Sequence, residues 1–198
     1  MRSLLRRLHG QAVLQDDDLV VLSDEDGHDT GTAHRLEVHG NATPRHRAFS
    51  TYLRDETGRV LITRRALHKA TWPGVWTNAA CGHLRPGESH EQAALRRVPE
   101  ELGTAPRGLS TVLPDFRYRA VDASGLVENE LCPVMTGWVD AGAVDPDPEE
   151  VAEHAWVEWA DLRRTAEQMP VLLSPWSVLQ IRGLAELEDD GHQLWGRP

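Results

Sequence analysis

The segment running from Gly82 to Gly103 constrains this chain more than any other. Gly82 is followed after five residues by Glu88, after seven more by Arg96, and then by Glu100-Glu101-x-Gly103. Inside it, Ser89-His-Glu-Gln92 spells a capping box. The serine hydroxyl accepts from the amide three residues on, and the glutamine side chain returns to the serine amide. Ala94, Val98 and Leu102 then recur on one helical face, and Gly103 supplies a stop. The segment therefore reads as a loop feeding a helix that ends in paired glutamates. Pro99 conflicts with that helix, because proline removes a backbone donor and clashes with the preceding turn. A kink or distortion is expected there.

Strand signals surround this helix. Residues 19–22 read as a short strand closed by the turn-rich stretch 23–27. Residues 46–53 and 59–63 flank Arg54-Asp-Glu-Thr-Gly58, a hairpin signature. Runs at 115–121 and 126–139 are joined by the turn Asp122-Ala-Ser-Gly125, and 140–150 is a Pro/Asp-rich loop. Residues 154–159 read as a strand, and 160–168 and 175–188 as helices. Strands mixed with helices point to a single α/β domain with a mixed sheet. At 198 residues there is room for one such domain over 19–190, with a flexible N-terminal tail (1–18) and a C-terminal tail (191–198).

Charge and cysteine content narrow the function classes. The formal charge is −10 with no basic block, which argues against nucleic acid and anionic membranes as partners. No apolar run reaches membrane-spanning length, and the basic start lacks a signal-peptide core. Two cysteines, Cys81 and Cys132, are too few for a disulfide framework and suit a reducing, cytoplasmic setting.

The 82–103 segment resembles the Nudix box, whose glutamates hold metal to a diphosphate. Carboxylates on one helical face are hard oxygen ligands for Mg²⁺, and Mg²⁺ neutralises diphosphate oxygens. One position departs from the box: Arg97 stands where a metal- or water-binding glutamate belongs, which argues against diphosphate hydrolysis. Four further motifs are Trp72-Pro-Gly-Val-Trp-Thr-Asn78, Ala80-Cys-Gly-His83, Asp115-Phe-Arg-Tyr-Arg-Ala120 and Val127-Glu-Asn-Glu-Leu-Cys-Pro133. Together, over about residues 19–184, they resemble the type I isopentenyl-diphosphate Δ-isomerases. These Nudix-fold enzymes interconvert isopentenyl and dimethylallyl diphosphate in isoprenoid biosynthesis. The resemblance implies a Nudix-type α/β/α sandwich and a small-molecule diphosphate substrate, in a monomer or weak homodimer. A Nudix diphosphohydrolase is the alternative, and a non-catalytic metal-stabilised module the third reading.

The resemblance also assigns residues. His39, His46, His83, Glu128 and Glu130 are implied ligands of one divalent metal (Mn²⁺, Mg²⁺ or Zn²⁺), a donor set that suits such an ion. Glu128 and Glu130 are two apart, so an extended strand puts both on one face. Cys81 and Glu130 are the implied proton-transfer pair on opposite sides of the alkene, with Tyr118 bonded to Glu130 or completing the relay. A second ion, Mg²⁺, would bridge the diphosphate to Glu101 and to the Cys81 carbonyl. Arg35, Arg65, Lys69 and Arg97 occupy phosphate-binding positions, and Trp176 lies over the isoprenoid, where an aromatic face stabilises a cation. Trp72 and Trp76 are read as mainly structural. Metals and these four cations reverse the overall negative charge where the diphosphate sits.

Overall fold

The chain folds around one strand, His46–Arg54, in which only Arg47 and Arg54 keep part of their surface exposed. The computed structural model describes residues 19–196, so the expected tail at 1–18 lies outside the described residues. In chain order come β1 (Leu19–Ser23), β2 (Asp29–His34), the one-turn helix α1 (Arg35–Val38) and β3 (His46–Arg54). Then follow β4 (Val60–Arg65), β5 (Trp76–Thr77), β6 (Ala80–His83) and helix α2 (His90–Leu102). The remainder is β7 (Arg107–Leu113), β8 (Arg117–Val121), β9 (Val127–Leu131), β10 (Val134–Trp138), β11 (Val151–Val157), α3 (Trp159–Gln168) and α4 (Pro175–Asp189).

β3 is the hub of a branched mixed sheet. Along one edge it pairs in parallel with β9 at His46 and Arg47, then with β10 from Ser50 to Arg54. Along the other it pairs antiparallel with β1 at His46, with β6 from Ala48 to Thr51 and with β4 at Arg54. Strands covered on both faces read as nearly continuous buried runs, as β3 does. Phe49 packs with Ala93 and Ala94 of α2, and Leu53 with Val98 and Leu102 of the same helix. Tyr52 faces the other way, with Leu162 of α3 and Ile181 and Leu184 of α4. Because side chains alternate along a strand, these contacts define an α/β/α sandwich, the expected fold class.

Several expected boundaries move. The run 126–139 is two strands, broken at Cys132-Pro133, where the Pro133 carbonyl accepts from Ser50 N and proline itself has no N–H to donate. The strand expected at 154–159 is β11, and Trp159 instead opens α3. Strands β2 and β7 were not anticipated; both are mostly exposed and lack an apolar alternation. The C-terminal tail is corrected for residues 191–196. Leu194 and Trp195 are buried in the α3–α4 core, and Thr136 Oγ1 donates to the Leu194 carbonyl at 2.5 Å.

The capping box forms as expected, with both Ser89–Gln92 bonds present. α2 also runs through Pro99 without interruption to Leu102. An interior proline costs about 3 kcal/mol. Burying Val98 and Leu102 completely offsets it, at about 1.5–3 kcal/mol each. Gly103 ends the helix at φ 71°, donating to the Pro99 carbonyl at 3.1 Å. A Cβ there would lie 2.6 Å from the Asp145 carbonyl oxygen. Gly103→Ala is therefore expected to destabilise the fold by about 2 kcal/mol or more, from left-handed strain plus the clash. Urea unfolding checks this, and an unchanged midpoint would contradict it.

Candidate active site

Strand register puts the candidate residues on one face of the sheet. Residues directly opposite one another in a ladder project to the same side. His46 is paired with Glu130, Ala48 with His83 and Ser50 with Cys81. On the neighbouring ladder Tyr118 is paired with Glu130 and Ala120 with Glu128. One face thus carries His46, His83, Cys81, Glu128, Glu130 and Tyr118, the face that α4 covers with Trp176. His39 joins them from the segment after α1. The other parity belongs to Gly82, whose added Cβ would sit 3.4 Å from Phe49 and 3.5 Å from Arg97. The Cys81–Gly82 backbone therefore lies between the histidine face and the end of α2.

The three imidazoles form a triangle with ring centroids 4.7–5.3 Å apart. His46 Nδ1 bonds the Pro44 carbonyl at 3.0 Å, so Nδ1 carries the proton in the neutral ring and the Nε2 lone pair points inward. His46 Nε2 lies 3.2 Å from His83 Nε2. Glu130 Oε1 sits 3.2 Å from His83 Nε2 and 3.4 Å from His46 Nε2. His39 Nδ1 and Glu128 Oε2 are buried without hydrogen-bond partners, 3.4 Å from each other. Ligand atoms of His39, His46, His83 and Glu128 all fall within 4.8 Å of one another. Imidazole nitrogens and carboxylate oxygens that converge in this way, two of them buried without a hydrogen-bond partner, fit a divalent cation bound by nitrogen and oxygen.

The electrostatics divide the acids. Burial pushes Glu128 up to about 8, and the neighbouring Glu130 charge adds to it. Burial also raises Glu130, but hydrogen bonds from His46 and His83 outweigh it and hold its carboxyl well below the usual range. Burial lowers His39 to about 4, reinforced by the two other rings. It pushes the Cys81 thiol up to about 12, with Glu101, Glu130 and Glu128 adding and Arg65 opposing. Tyr118 is raised well above its ordinary value by burial and then by Glu130. In this arrangement the thiol and phenol hold protons while Glu130 is an open base.

These groups border a cavity of about 480 Å³ that is also lined by several cations. Arg35, Arg65, Lys69 and Arg97 all line it, as do Arg85, Arg96 and Glu101. Arg65, Lys69 and Arg97, three of the four expected phosphate-binding cations, already have carboxylate or carbonyl partners. Arg97 Nη2 donates to Glu101 Oε1 at 2.6 Å and lies 3.3 Å from Glu150 Oε1. Lys69 pairs with the same Glu150. Arg65 donates through Nε and Nη2 to the Thr71 carbonyl, at 3.2 and 3.0 Å. Burial raises Glu101 to about 7 against the pull of Arg97. Glu150 went unnoticed in the sequence because it lies in the 140–150 loop, far from any motif. Glu88 of the box has a structural contact: both oxygens take Arg96 at 2.7 Å, and Oε2 accepts from Arg85 N. It ties the loop to α2.

Trp176 is buried on the cavity wall, edge-on to Trp72 at 5.2 Å, tilted against Tyr118 at 5.7 Å and 5.8 Å beneath the Arg65 guanidinium. Trp72, read as mainly structural, takes a left-handed φ of 44° immediately before Pro73. That is a costly conformation for a bulky residue and is typical of positions that set a site's shape. Cys132 is buried with Sγ 3.3 Å from Ser50 Oγ. No helix among the described residues is long and apolar enough to cross a membrane.

The chain is similar to proteins of known family. The NUDIX domain family matches residues 44–176. The isopentenyl-diphosphate Delta-isomerase of Mycolicibacterium vanbaalenii is 54% identical over 83% of this chain and 90% of its own length. That of Frankia alni is 54% identical over 89% of this chain and 90% of its own. That of Corynebacterium diphtheriae is 53% identical over 85% and 94%. Among solved structures, DR0079 from Deinococcus radiodurans is similar with a TM-score of 0.63 at 20% identity, covering 83% of this chain and 98% of its own. A MutT protein from Methanosarcina mazei follows at 0.57 and 20%, covering 75% and 97%. These two share the fold, and the sequence relatives are far nearer. With half its residues shared along most of its length, and with a NUDIX domain at its centre, the chain belongs to the isopentenyl-diphosphate Delta-isomerase family.

Proposed function

We propose that this chain interconverts isopentenyl and dimethylallyl diphosphate by protonation and deprotonation at a site built from Cys81, Glu130 and Tyr118. The observation that carries this reading is the convergence on one sheet face of the Cys81 thiol and the Glu130 carboxylate, with a buried tryptophan on the same face. In one direction an acid delivers a proton to the terminal alkene carbon, leaving a tertiary cation. A base then takes a proton from the carbon on the diphosphate side, and the double bond moves inward. Cys81 Sγ and Glu130 share these two tasks, exchanging them when the reaction reverses. Tyr118, paired with Glu130 across the ladder and still protonated, orients that carboxylate or relays its proton.

His39, His46, His83, Glu128 and Glu130 are the residues that would hold a divalent metal, and Glu101 with the Cys81 carbonyl would hold Mg²⁺ on the diphosphate. When bound, the first ion supplies positive charge that fixes the Glu130 carboxylate, and the second neutralises diphosphate oxygens. Arg35, Arg65, Lys69 and Arg97 bind and orient the diphosphate, whose remote binding energy places a small alkene that has no polar handle. Lys69 and Arg97 must exchange Glu150 for phosphate oxygens as the substrate enters. The free thiols Cys81 and Cys132 suit the cytoplasm.

Trp176 stabilises the cation with its ring face, an interaction worth about 2 kcal/mol in a dry site. Trp176→Ala is therefore expected to lower kcat by about 10- to 30-fold with a smaller change in KM. An effect confined to KM would contradict the role. The reaction class is tested by ³¹P NMR with isopentenyl diphosphate and Mg²⁺. Conversion to the allylic diphosphate with both phosphorus atoms retained supports isomerisation. Release of phosphate without allylic product would support the diphosphohydrolase instead.

A further inference from the structure

Asn78 is fully buried behind the cavity, and its carboxamide uses its full hydrogen-bonding capacity. Oδ1 accepts from Trp176 Nε1 at 3.1 Å and from Thr77 Oγ1 at 2.8 Å. Nδ2 donates to the Ala80 carbonyl at 2.8 Å and to the Thr51 carbonyl at 3.3 Å. The amide can sit only this way round. Flipped, it would set NH₂ against the indole N–H and its oxygen against two carbonyls. With the Thr77 proton directed to Asn78, Ser174 Oγ donates to Thr77 at 2.9 Å, which brings in the residue that caps α4. One side chain therefore links the Trp176 ring, the start of α4 and the residue preceding Cys81.

We propose that Asn78 is a positioning residue for the isomerisation, holding the Trp176 indole by its N–H so that the ring face meets the substrate cation, in fixed relation to the Cys81 strand. This rests on the reading of Trp176 as the ring over the isoprenoid. Trp72 packs against the same indole edge-on, Tyr118 lies beside it and the Arg65 guanidinium sits over the ring at 5.8 Å, so among the described residues the hydrogen bond that fixes the indole N–H is the one to Asn78. An untethered indole can tilt within its pocket, and cation–π attraction weakens as the cation leaves the ring face. The contact matters most when the charge has formed, so its loss falls on kcat.

The test is a double-mutant cycle on the whole protein with isopentenyl diphosphate and Mg²⁺. Asn78→Ala is expected to lower kcat by about tenfold or more with KM changed less than about twofold, at unchanged metal content. Trp176→Phe removes the N–H while keeping an aromatic face, and Asn78→Ala added to it should cost little further. Multiplying losses in the double variant, a folded Asn78→Ala with normal kcat, or an effect confined to KM would each overturn the proposal. Asn78→Ala leaves buried groups unpaired. Should it not fold, the same question is put by benzothienylalanine at position 176, which replaces only the indole N–H by sulfur. A loss of kcat of about tenfold supports the tether, and full kcat overturns it. Trp176→Ala separates the two readings. Normal kcat there removes Trp176 from the reaction, whereas low kcat there with normal Asn78→Ala kcat removes only Asn78.

Discussion

Cys81→Ala is expected to lower turnover by about 10²- to 10⁴-fold, the usual worth of a positioned acid or base, while metal content stays the same. The thiol is not among the atoms that converge on the histidine triangle. Its strand is held to β3 by backbone pairing with Ser50 and its neighbours, so removing one sulfur leaves that ladder intact. Stability should therefore change little, and lost activity would not reflect unfolding. Burial keeps the sulfur protonated at neutral pH, which suits an acid that must deliver its proton to carbon rather than to water. Initial rates and metal analysis on the same preparation check this. Retained turnover would remove the thiol from the reaction.

Glu130→Gln should lose two things together. The carboxylate lies between His46 and His83, and those hydrogen bonds hold it ionised against a burial that favours the neutral acid. Glutamine preserves the shape but can neither accept the substrate proton nor offer a negative ligand. Turnover is expected to fall by about 10³-fold or more. Metal affinity should fall by at least about 10- to 100-fold, the loss seen even for outer-shell partners. His46 should also lose its raised pKa, because burial then acts on it with its main compensating partner gone. Titration with a divalent metal and steady-state kinetics read the two losses separately. Lost turnover at undiminished metal affinity would confine Glu130 to proton transfer, and normal turnover would refute both roles.

Local rules made part of this site legible. Period-two alternation in β9 does put Glu128 and Glu130 on one face, and the capping box does open α2 at Ser89. What local rules could not supply was register. Cys81, His83, His46, Glu130 and Tyr118 share a face only because β3 is paired at once with β6 and β9, and β9 with β8. Glu150 reaches Lys69 and Arg97 across the fold, and nothing in its Pro/Asp-rich neighbourhood marks it. Asn78 was visible within a motif, but its work depends on α4, nearly a hundred residues away. Leu194 and Trp195 were assigned to a tail because a short stretch after a glycine carries no periodic signal. Their burial is a tertiary fact. Arg97 departs from the Nudix box, and its partners here, Glu101 and Glu150, are set by the fold.

The central claim is that protein groups add a proton at one carbon of the substrate and remove one at another. Running the reaction on isopentenyl diphosphate and Mg²⁺ in D₂O, and locating deuterium in the product by NMR, tests it most directly. The group that acts as acid regains its proton from solvent between turnovers, so deuterium should appear in a methyl group of dimethylallyl diphosphate. With Cys81→Ala or Glu130→Gln, labelled product at matched times should fall to a trace. Allylic product formed at the wild-type rate without deuterium would mean that the proton shifts within the substrate, and the two-group account would be wrong.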